Sequence, residues 1–208
     1  MPPVDDAEIH RLVQKVLGQV LGQTPVGAPA QPAALETVPP QAPEPAPSSV
    51  MPAAQPGGRK VVVLGCDHGG FDLKEILKDY IAELGHDVRD VGTYTKNPVD
   101  YPDFAHEVAK RVSMGSAWRG VMIDGAGIGS CIVANKVPGV RAGMAYDYSS
   151  AVNGREHNDT NVLTLGAGLI GVNLAKQIVK TWLSTDFGGG RHQPRIDKIT
   201  AVEKQYLK

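Results

Sequence analysis

Four short segments carry the residues that could do chemistry. Three of them combine glycines with acidic, imidazole or guanidinium side chains, and the other, residues 155–161, is a polar run that contains His157. The first is Gly-Cys-Asp-His-Gly-Gly, residues 65–70, which places Asp67 and His68 just before a predicted helix. Free N–H groups at the start of a helix can bind an anion. The segment therefore indicates an anion-binding turn, although a tight turn capped by Asp67 would have the same sequence.

The second segment is Asp-Gly-Ala-Gly-Ile-Gly-Ser, residues 124–130. Its alternate glycines, Gly125, Gly127 and Gly129, allow backbone N–H groups to approach a ligand oxygen, as a developing enediolate requires. Asp124 could remove a proton from the carbon next to a carbonyl group. It could equally be a capping residue that only ties the loop down.

The third and fourth segments add a proton carrier and a phosphate clamp. His157, on a predicted polar loop, could move a proton near neutral pH, although many loop histidines are simply solvated. Arg191 and Arg195 follow a glycine run and could hold a phosphate through forked contacts, or form a plain basic turn. Together the four segments predict proton transfer on a phosphorylated sugar, with no metal and no cofactor.

The elements that must position these segments alternate between strands and helices from residue 59 to residue 208. Strands are predicted at 60–64, 88–91, 120–123, 141–145 and 162–165, and helices at 71–84, 104–113 and 172–183. This alternation is typical of a parallel α/β sandwich. Ligands in such folds bind beyond the carboxyl ends of the strands, which is where the first two segments lie.

Two further regions precede this block. Residues 1–22 have the apolar spacing of an amphipathic helix, with Asp5 and Glu8 as a capping box and an apolar stripe of Ile9, Leu12, Val13, Val16, Leu17, Val20 and Leu21. Ten of the sixteen prolines lie in residues 23–58, which we interpret as a disordered Pro/Ala-rich linker.

The predicted helix could bind in three places: on a partner or a second copy, on the main domain, or on a membrane surface. We expect it to dock on a partner or to self-associate, with packing back onto the main domain as the alternative. Its few basic residues and lack of bulky aromatics argue against a membrane surface. A short amphipathic helix on such a linker resembles the encapsulation peptides that recruit enzymes into bacterial microcompartments. That resemblance implies shell or cargo proteins as partners of residues 5–22.

Length, charge and cysteine content exclude several classes of protein. The 208 residues suffice for one domain with appendages. With 21 Lys and Arg against 22 Asp and Glu, the net charge of −1 favours neither a nucleic acid nor a membrane partner. We find no long apolar run and no secretory signal, and two cysteines cannot form a disulfide framework. We therefore expect a cytoplasmic protein.

A series of motifs resembles one enzyme family. The strings, in order, are Gly-Cys-Asp-His-Gly-Gly, Asp-Tyr-Pro, Gly-Ala-Gly-Ile-Gly, Ala-Asn-Lys, His-Asn-Asp-Thr-Asn-Val and Gly-Arg-His-Gln. Their order and approximate spacing are similar to those of type B ribose-5-phosphate isomerases, a family that includes the galactose-6-phosphate isomerase subunits. The resemblance implies a Rossmann-like three-layer sandwich with five parallel strands. It also implies metal-free aldose–ketose isomerisation in a homodimer or tetramer whose sites draw residues from two subunits.

The resemblance also implies a role for individual residues. Asp124 and His157 would be catalytic, with His157 assisting opening of the sugar ring. The substrate-binding residues would be Asp67, His68, Tyr101, Gly125, Gly127, Gly129, Ser130, Asn158, Arg191 and Arg195. Within this set the glycine loop would hold the oxyanion and the two arginines would hold the phosphate.

This chain departs from the family pattern at the expected base. Asp124 stands where many members have a cysteine, and Ser130 and Cys131 stand where another branch has a glutamate. Gly168 falls where a further phosphate-binding arginine is usual. Asp124 could therefore be a substitute base, a sugar ligand beside a basic Cys131, or a repelling charge in a protein that binds without turnover. The expected substrate is ribose 5-phosphate, with a galactose or tetrulose phosphate, or a silent sugar-phosphate-binding cargo protein, as alternatives.

Overall fold

A computed structural model describes residues 58–206 and six residues of the N-terminal segment. Those six, Ala7, Glu8, Arg11, Val13, Lys15 and Gly18, are all helical. Asp5, the rest of the predicted apolar stripe and nearly all of the predicted linker lie outside the described residues. Across the described part of the chain, no helix combines the length and apolar character needed to span a membrane.

Five parallel strands form a single sheet. They are β1 (Val61–Cys66), β2 (Asp87–Asp90), β3 (Arg119–Asp124), β4 (Ala142–Met144) and β5 (Val162–Gly166), in the spatial order β2-β1-β3-β5-β4. The central strands are runs of Val, Ile, Leu and Met buried on both faces, as expected for a parallel sheet covered by helices. The predicted Rossmann-like sandwich is confirmed, with strand bounds shifted by one or two residues.

Six helices cover the two faces. They are α1 (Phe71–Glu83), α2 (Tyr101–Ser113), α3 (Ile128–Ala134), α4 (Tyr148–Glu156), α5 (Val172–Ser184) and α6 (Gln193–Tyr206). One core cluster contains buried residues of α1, α4 and α5, while the other contains those of α2 and α3. Successive residues of β1 alternate between them, since Val62 and Leu64 belong to the first cluster and Val63 to the second.

Three helices were not predicted from the sequence. α3 has only seven residues, α4 has few apolar residues, and most of the apolar residues of α6 are exposed, with Ile196 as its buried one. α4 begins instead with a capping box, in which Asp147 and Ser150 exchange hydrogen bonds. Glu156 ends α4 and His157 is its C-cap, so His157 lies in the turn that follows the helix, while Arg155 and Glu156 of the same polar segment are helical.

The strand at one edge of the sheet has a side chain beside it instead of another strand. The amide of Asn135 accepts from the N–H of Ala142 at 2.9 Å and donates to its carbonyl at 3.0 Å. Ala142 is the first residue of β4, which pairs with β5 on its other side. Asn135 thus supplies both hydrogen bonds that a neighbouring strand would make with this residue.

Candidate active site

Asp67 and His68 lie at the carboxyl end of β1. Asp67 is buried, and its Oδ1 accepts from the N–H of Gly70 at 3.0 Å, so it does cap the turn into α1. His68 Nδ1 accepts from the N–H of Val99 at 3.2 Å, which leaves the proton of the neutral ring on Nε2. The turn therefore holds a carboxylate and an imidazole donor side by side at the edge of the sheet.

The glycine loop lies next to this turn, because β3 pairs directly with β1. A Cβ atom built on Gly69 would lie 3.5 Å from the N atom of Gly125, so the two segments are in close contact. Tyr101, the first residue of α2, rests against Gly129, where an added Cβ would lie 2.5 Å from the Tyr101 ring. The loop, the turn and Tyr101 thus form one half of the predicted site.

Asp124 makes four hydrogen bonds within its own loop. Its Oδ1 accepts from the N–H of Ala126 at 2.8 Å and from the N–H of Gly127. Its Oδ2 accepts from the N–H of Ser130 at 3.3 Å and from the Ser130 hydroxyl. A carboxylate has about four lone-pair positions, so Asp124 has none left over for a ligand in this arrangement. The capping role predicted for Asp124 is thus present, and its role as a base stays a prediction.

The Asp124 carboxylate also occupies part of the loop that was expected to hold an oxyanion: it binds the N–H of Gly127, one of the three glycines, and those of Ala126 and Ser130. Gly127 adopts a φ of 78°, which turns its N–H and that of Ala126 toward Asp124. Of the four donors, three belong to the backbone, and only the Ser130 hydroxyl can rotate away without moving the chain. Ser130 is fully buried beneath the loop. It is therefore the contact that a substrate could replace most easily.

A basic Cys131 would need its side chain to face the glycine loop and the turn of Asp67, but it points the other way. Its Sγ donates to the carbonyl of Ala142 at 3.5 Å, toward the edge strand. Burial raises the pKa of the Cys131 thiol, although contacts with Thr164, Met144 and Asn135 oppose the rise. A thiol with a raised pKa forms less of the thiolate that proton abstraction needs.

The remaining predicted site residues gather elsewhere. The His157 ring stacks on that of His192, with centroids 4.2 Å apart and planes 12° apart. Asn158 follows His157 directly in the sequence. Arg191 and Arg195 are exposed and lie in the same segment as His192. Arg191 Nε approaches His192 Nε2 at 3.4 Å. This group combines a buried imidazole, His192, and a half-buried one, His157, with exposed guanidinium groups that could bind a phosphate.

The two groups lie at opposite ends of the parallel strands. We call the end that carries Asp67, Tyr101 and Asp124 the carboxyl edge of the sheet, and the end that carries His157 the amino edge. Asp67, Tyr101 and Asp124 follow the carboxyl ends of strands, whereas His157 closes a helix that returns to the amino end of β5. α5 likewise returns the chain to the amino edge before Arg191. A strand of five residues spans roughly 17 Å. Within one chain the structure brings each group together and keeps the two groups apart.

Two neighbours of His157 were missed by the sequence analysis. No role was given to His192, which was named only within the Gly-Arg-His-Gln motif, or to Asn153, which lies four residues before His157 in α4. Asn153 Nδ2 lies 2.8 Å from His157 Nδ1. The i, i+4 spacing of these two residues would have indicated the contact if α4 had been predicted.

A groove of about 650 Å³ runs along the outer side of β4. Its lining residues are Asn135, Arg141, Ala142, Gly143, Met144, Tyr146, Asp147, Ser149, Ser150, Asn153, Gly154, Asn158, Thr160 and Ile199. It reaches Asn158 but none of the residues at the carboxyl ends of β1 and β3. In the described residues, no three His, Cys, Asp or Glu side chains are grouped so as to hold a metal ion.

Comparison with known proteins identifies the family. Residues 62–199 match the ribose/galactose isomerase family. The chain belongs to this family. Ribose-5-phosphate isomerase B of Escherichia coli is 44% identical over 146 residues, which cover 70% of this chain and 98% of that protein. D-erythrulose-4-phosphate isomerase of Pectobacterium atrosepticum is 40% identical, covering 69% and 95% respectively.

Solved structures agree with this result. The structure of Clostridium thermocellum ribose-5-phosphate isomerase B is similar with a TM-score of 0.69 and 46% identity, over 70% of this chain and 99% of that one. Family and fold together make the chain a sugar-phosphate isomerase, an enzyme that interconverts an aldose and a ketose. The stretch that precedes Val62 lies outside the family match.

Proposed function

We propose that this isomerase interconverts ribose 5-phosphate and ribulose 5-phosphate, without a metal, at a site built from two copies of the chain. The observation that carries the proposal is the separation of the two residue groups at opposite edges of the sheet. A sugar phosphate needs both a proton-transfer centre and a phosphate clamp within a few ångströms of each other. If one chain keeps them apart, a second copy must complete the site.

The carboxyl edge would supply the proton transfer. A base takes the C2 proton of the open aldose, and hydrogen-bond donors stabilise the resulting enediolate. The base returns the proton to C1 while a second proton moves from O2 to O1, which gives the ketose. In our proposal the Ser130 hydroxyl turns from Asp124 to the substrate oxygen. That rotation frees one lone pair of Asp124 Oδ2 for the carbon-bound proton, while three backbone N–H groups keep the carboxylate in place.

The amino edge of the second copy would bind and open the sugar. Arg191 and Arg195 can form charge-assisted hydrogen bonds to the phosphate oxygens. His157 and Asn158 would then lie beside the sugar ring, whose opening must precede isomerisation.

Exposed apolar residues support association of two copies. Ile128 and Ile132 are 55% and 58% exposed and share one face of α3. Ile199, Val202 and Tyr206 form a stripe along α6. Monomeric proteins rarely expose contiguous apolar surface without a use for it. We propose a homodimer, or a tetramer made of two such dimers.

Subunit mixing tests the shared site. One variant lacks the carboxyl-edge group (Asp124→Asn) and the other lacks the amino-edge group (Arg191→Ala). If sites are shared, half of the randomly mixed dimers hold one intact site, so at a ribose 5-phosphate concentration well below the wild-type KM, where Arg191→Ala turns over little substrate, the mixture should recover about one quarter of wild-type turnover. If each chain carries its own complete site, the mixture stays as inactive as its two components.

A four-carbon sugar phosphate is the second candidate substrate, because the Pectobacterium relative named for D-erythrulose 4-phosphate is nearly as similar as the ribose-5-phosphate isomerase. Wild-type kcat/KM should be compared on ribose 5-phosphate, erythrulose 4-phosphate and galactose 6-phosphate. The highest value identifies the substrate class. Absence of turnover on all three would refute the proposed reaction.

We further propose that residues 1–22 deliver the enzyme to a bacterial microcompartment. The support is the amphipathic pattern of this segment and its separation from the domain by a Pro/Ala-rich linker. Deletion of residues 1–22 should leave the domain folded, dimeric and active but abolish its association with shell or cargo proteins. Loss of folding on deletion would instead indicate that the helix packs onto the domain.

A further inference from the structure

We propose that His157 acts as a neutral hydrogen-bond donor through Nε2–H, with its tautomer fixed by Asn153. This inference rests on the proposed role of His157 in binding and opening the sugar. It adds the position of the proton and a residue that controls it. Three groups form a hydrogen-bonded series: the amide of Asn158, the amide of Asn153 and the imidazole of His157.

This series begins at Asn158, whose amide orientation is fixed by the backbone carbonyl of Asn153. Asn158 Nδ2 lies 3.1 Å from the carbonyl oxygen of Asn153, which can only accept a hydrogen bond. The opposite orientation would set the side-chain oxygen of Asn158 against that carbonyl oxygen. Asn158 therefore directs its NH₂ group toward Asn153.

The orientation of the Asn158 amide in turn fixes the orientation of the Asn153 side chain. Asn158 Nδ2 also donates to Asn153 Oδ1 at 3.1 Å. With its oxygen used in this way, Asn153 directs its own NH₂ group at Nδ1 of His157, 2.8 Å away. Nδ1 must then accept, so the neutral ring carries its proton on Nε2.

The surroundings of His157 keep this arrangement in place. His192 stacks on the ring and fixes its plane. Burial lowers the pKa of His192, and His157, Arg191 and Arg195 lower it further while Glu156 opposes them. Nε2 of His192 accepts from Arg191 Nε, so this nitrogen carries no proton in the structure. Among the described ion pairs, the carboxylate paired with His157 Nε2 is that of Glu156, whose Oε1 lies 3.9 Å away. This distance is too long for a hydrogen bond, so the proton on Nε2 is available to a substrate oxygen.

A neutral imidazole with its proton on Nε2 donates one hydrogen bond and cannot accept a proton at that atom. It polarises a substrate oxygen without becoming charged, as an electrophilic histidine does in other isomerisations. His157 would thus bind the ring oxygen or carbonyl oxygen of the sugar. Its side chain is 36% exposed, which leaves Nε2 accessible to a ligand.

The test is the ¹⁵N spectrum of the histidine side chains in the full-length protein, with His157 assigned from the His157→Gln variant. We expect the wild type to show a protonated Nε2 and an unprotonated Nδ1 at pH 8. In Asn153→Asp a carboxylate replaces the donor and should move a proton onto Nδ1. Gln177→Glu makes the same amide-to-carboxylate change on the exposed surface of α5 and should leave His157 unchanged.

Kinetics separate this inference from the proposed reaction. Turnover of ribose 5-phosphate by Asn153→Asp should fall about tenfold, with Gln177→Glu unaffected. A wild-type ring protonated on Nδ1 overturns the inference whatever the turnover. The expected tautomer together with unchanged turnover in Asn153→Asp overturns the donor role. If the wild type does not turn over ribose 5-phosphate at all, the proposed reaction fails while the spectrum still decides the position of the proton.

Discussion

The two edges of the sheet differ in how they are built. At the carboxyl edge, the groups around Asp124 are mostly backbone N–H groups, they are buried, and their hydrogen bonds are already made within the loop. At the amino edge, the groups around His157 are side chains, they are largely exposed, and the arginines have room for a ligand. One edge is preorganised for chemistry, and the other is suited to capture of a charged ligand from solution.

The largest expected effect is at the carboxyl edge. Asp124→Asn removes the carboxylate and should lower kcat on ribose 5-phosphate about 1000-fold if Asp124 is the base. Asp124→Cys introduces a different group that can act as a base and should keep kcat within about tenfold of the wild type. Steady-state kinetics on the three proteins make the comparison.

The same pair of variants controls for the capping role of Asp124. Neither Asn nor Cys can accept all four hydrogen bonds, so both should unfold at a lower temperature than the wild type. Equal losses of kcat in the two variants would mean that the loss comes from the loop. Asp124 would then only support the loop, and another residue would be the base.

The next effect is at the amino edge. Arg191→Ala should raise KM for ribose 5-phosphate about 10- to 100-fold, because one charge-assisted contact contributes about 1.5–3 kcal/mol. The effect on kcat should be smaller. Lys198→Ala removes an exposed charge from the neighbouring α6 and serves as the control. A fall in kcat with unchanged KM would show that Arg191 acts on the chemistry instead.

A smaller effect tests the contact between Tyr101 and the loop. In Gly129→Ala the new methyl group would lie 2.5 Å from the Tyr101 ring, so the ring must move. We expect kcat/KM to fall about tenfold, because displacement of about 1 Å in a positioned site is costly. Gly171→Ala places the same methyl group in open space before α5 and should be neutral. Equal activity of both variants would remove Tyr101 from the substrate pocket.

The smallest effect concerns Cys131. Its thiol points to the carbonyl of Ala142, so Cys131→Ser should leave kcat within about twofold of the wild type. Alkylation of this thiol at pH 8 should also be slow, because burial raises its pKa. A large loss of kcat in Cys131→Ser would restore the thiol as a candidate base.

The sequence was sufficient to predict one edge of the site better than the other. Asp67 and Asp124 follow buried strands, and the rule that parallel strands share a carboxyl edge brings them together. Nothing in the local sequence places His157 at the far edge, since that depends on α4, a short helix with little apolar periodicity. The hydrogen bonds of Asp124 were also beyond prediction, because glycine spacing shows that a loop can turn but not which acceptor its N–H groups meet.

The amide of Asn135 beside β4 has a consequence for the solution behaviour of the enzyme. An unprotected edge strand can pair with the same strand of another molecule, and this pairing can repeat without limit. Asn135 satisfies the N–H and the carbonyl of Ala142, so that position offers no free groups to a passing chain. An enzyme packed at high concentration would gain from such a blocked edge, since it favours closed dimers over open-ended polymers.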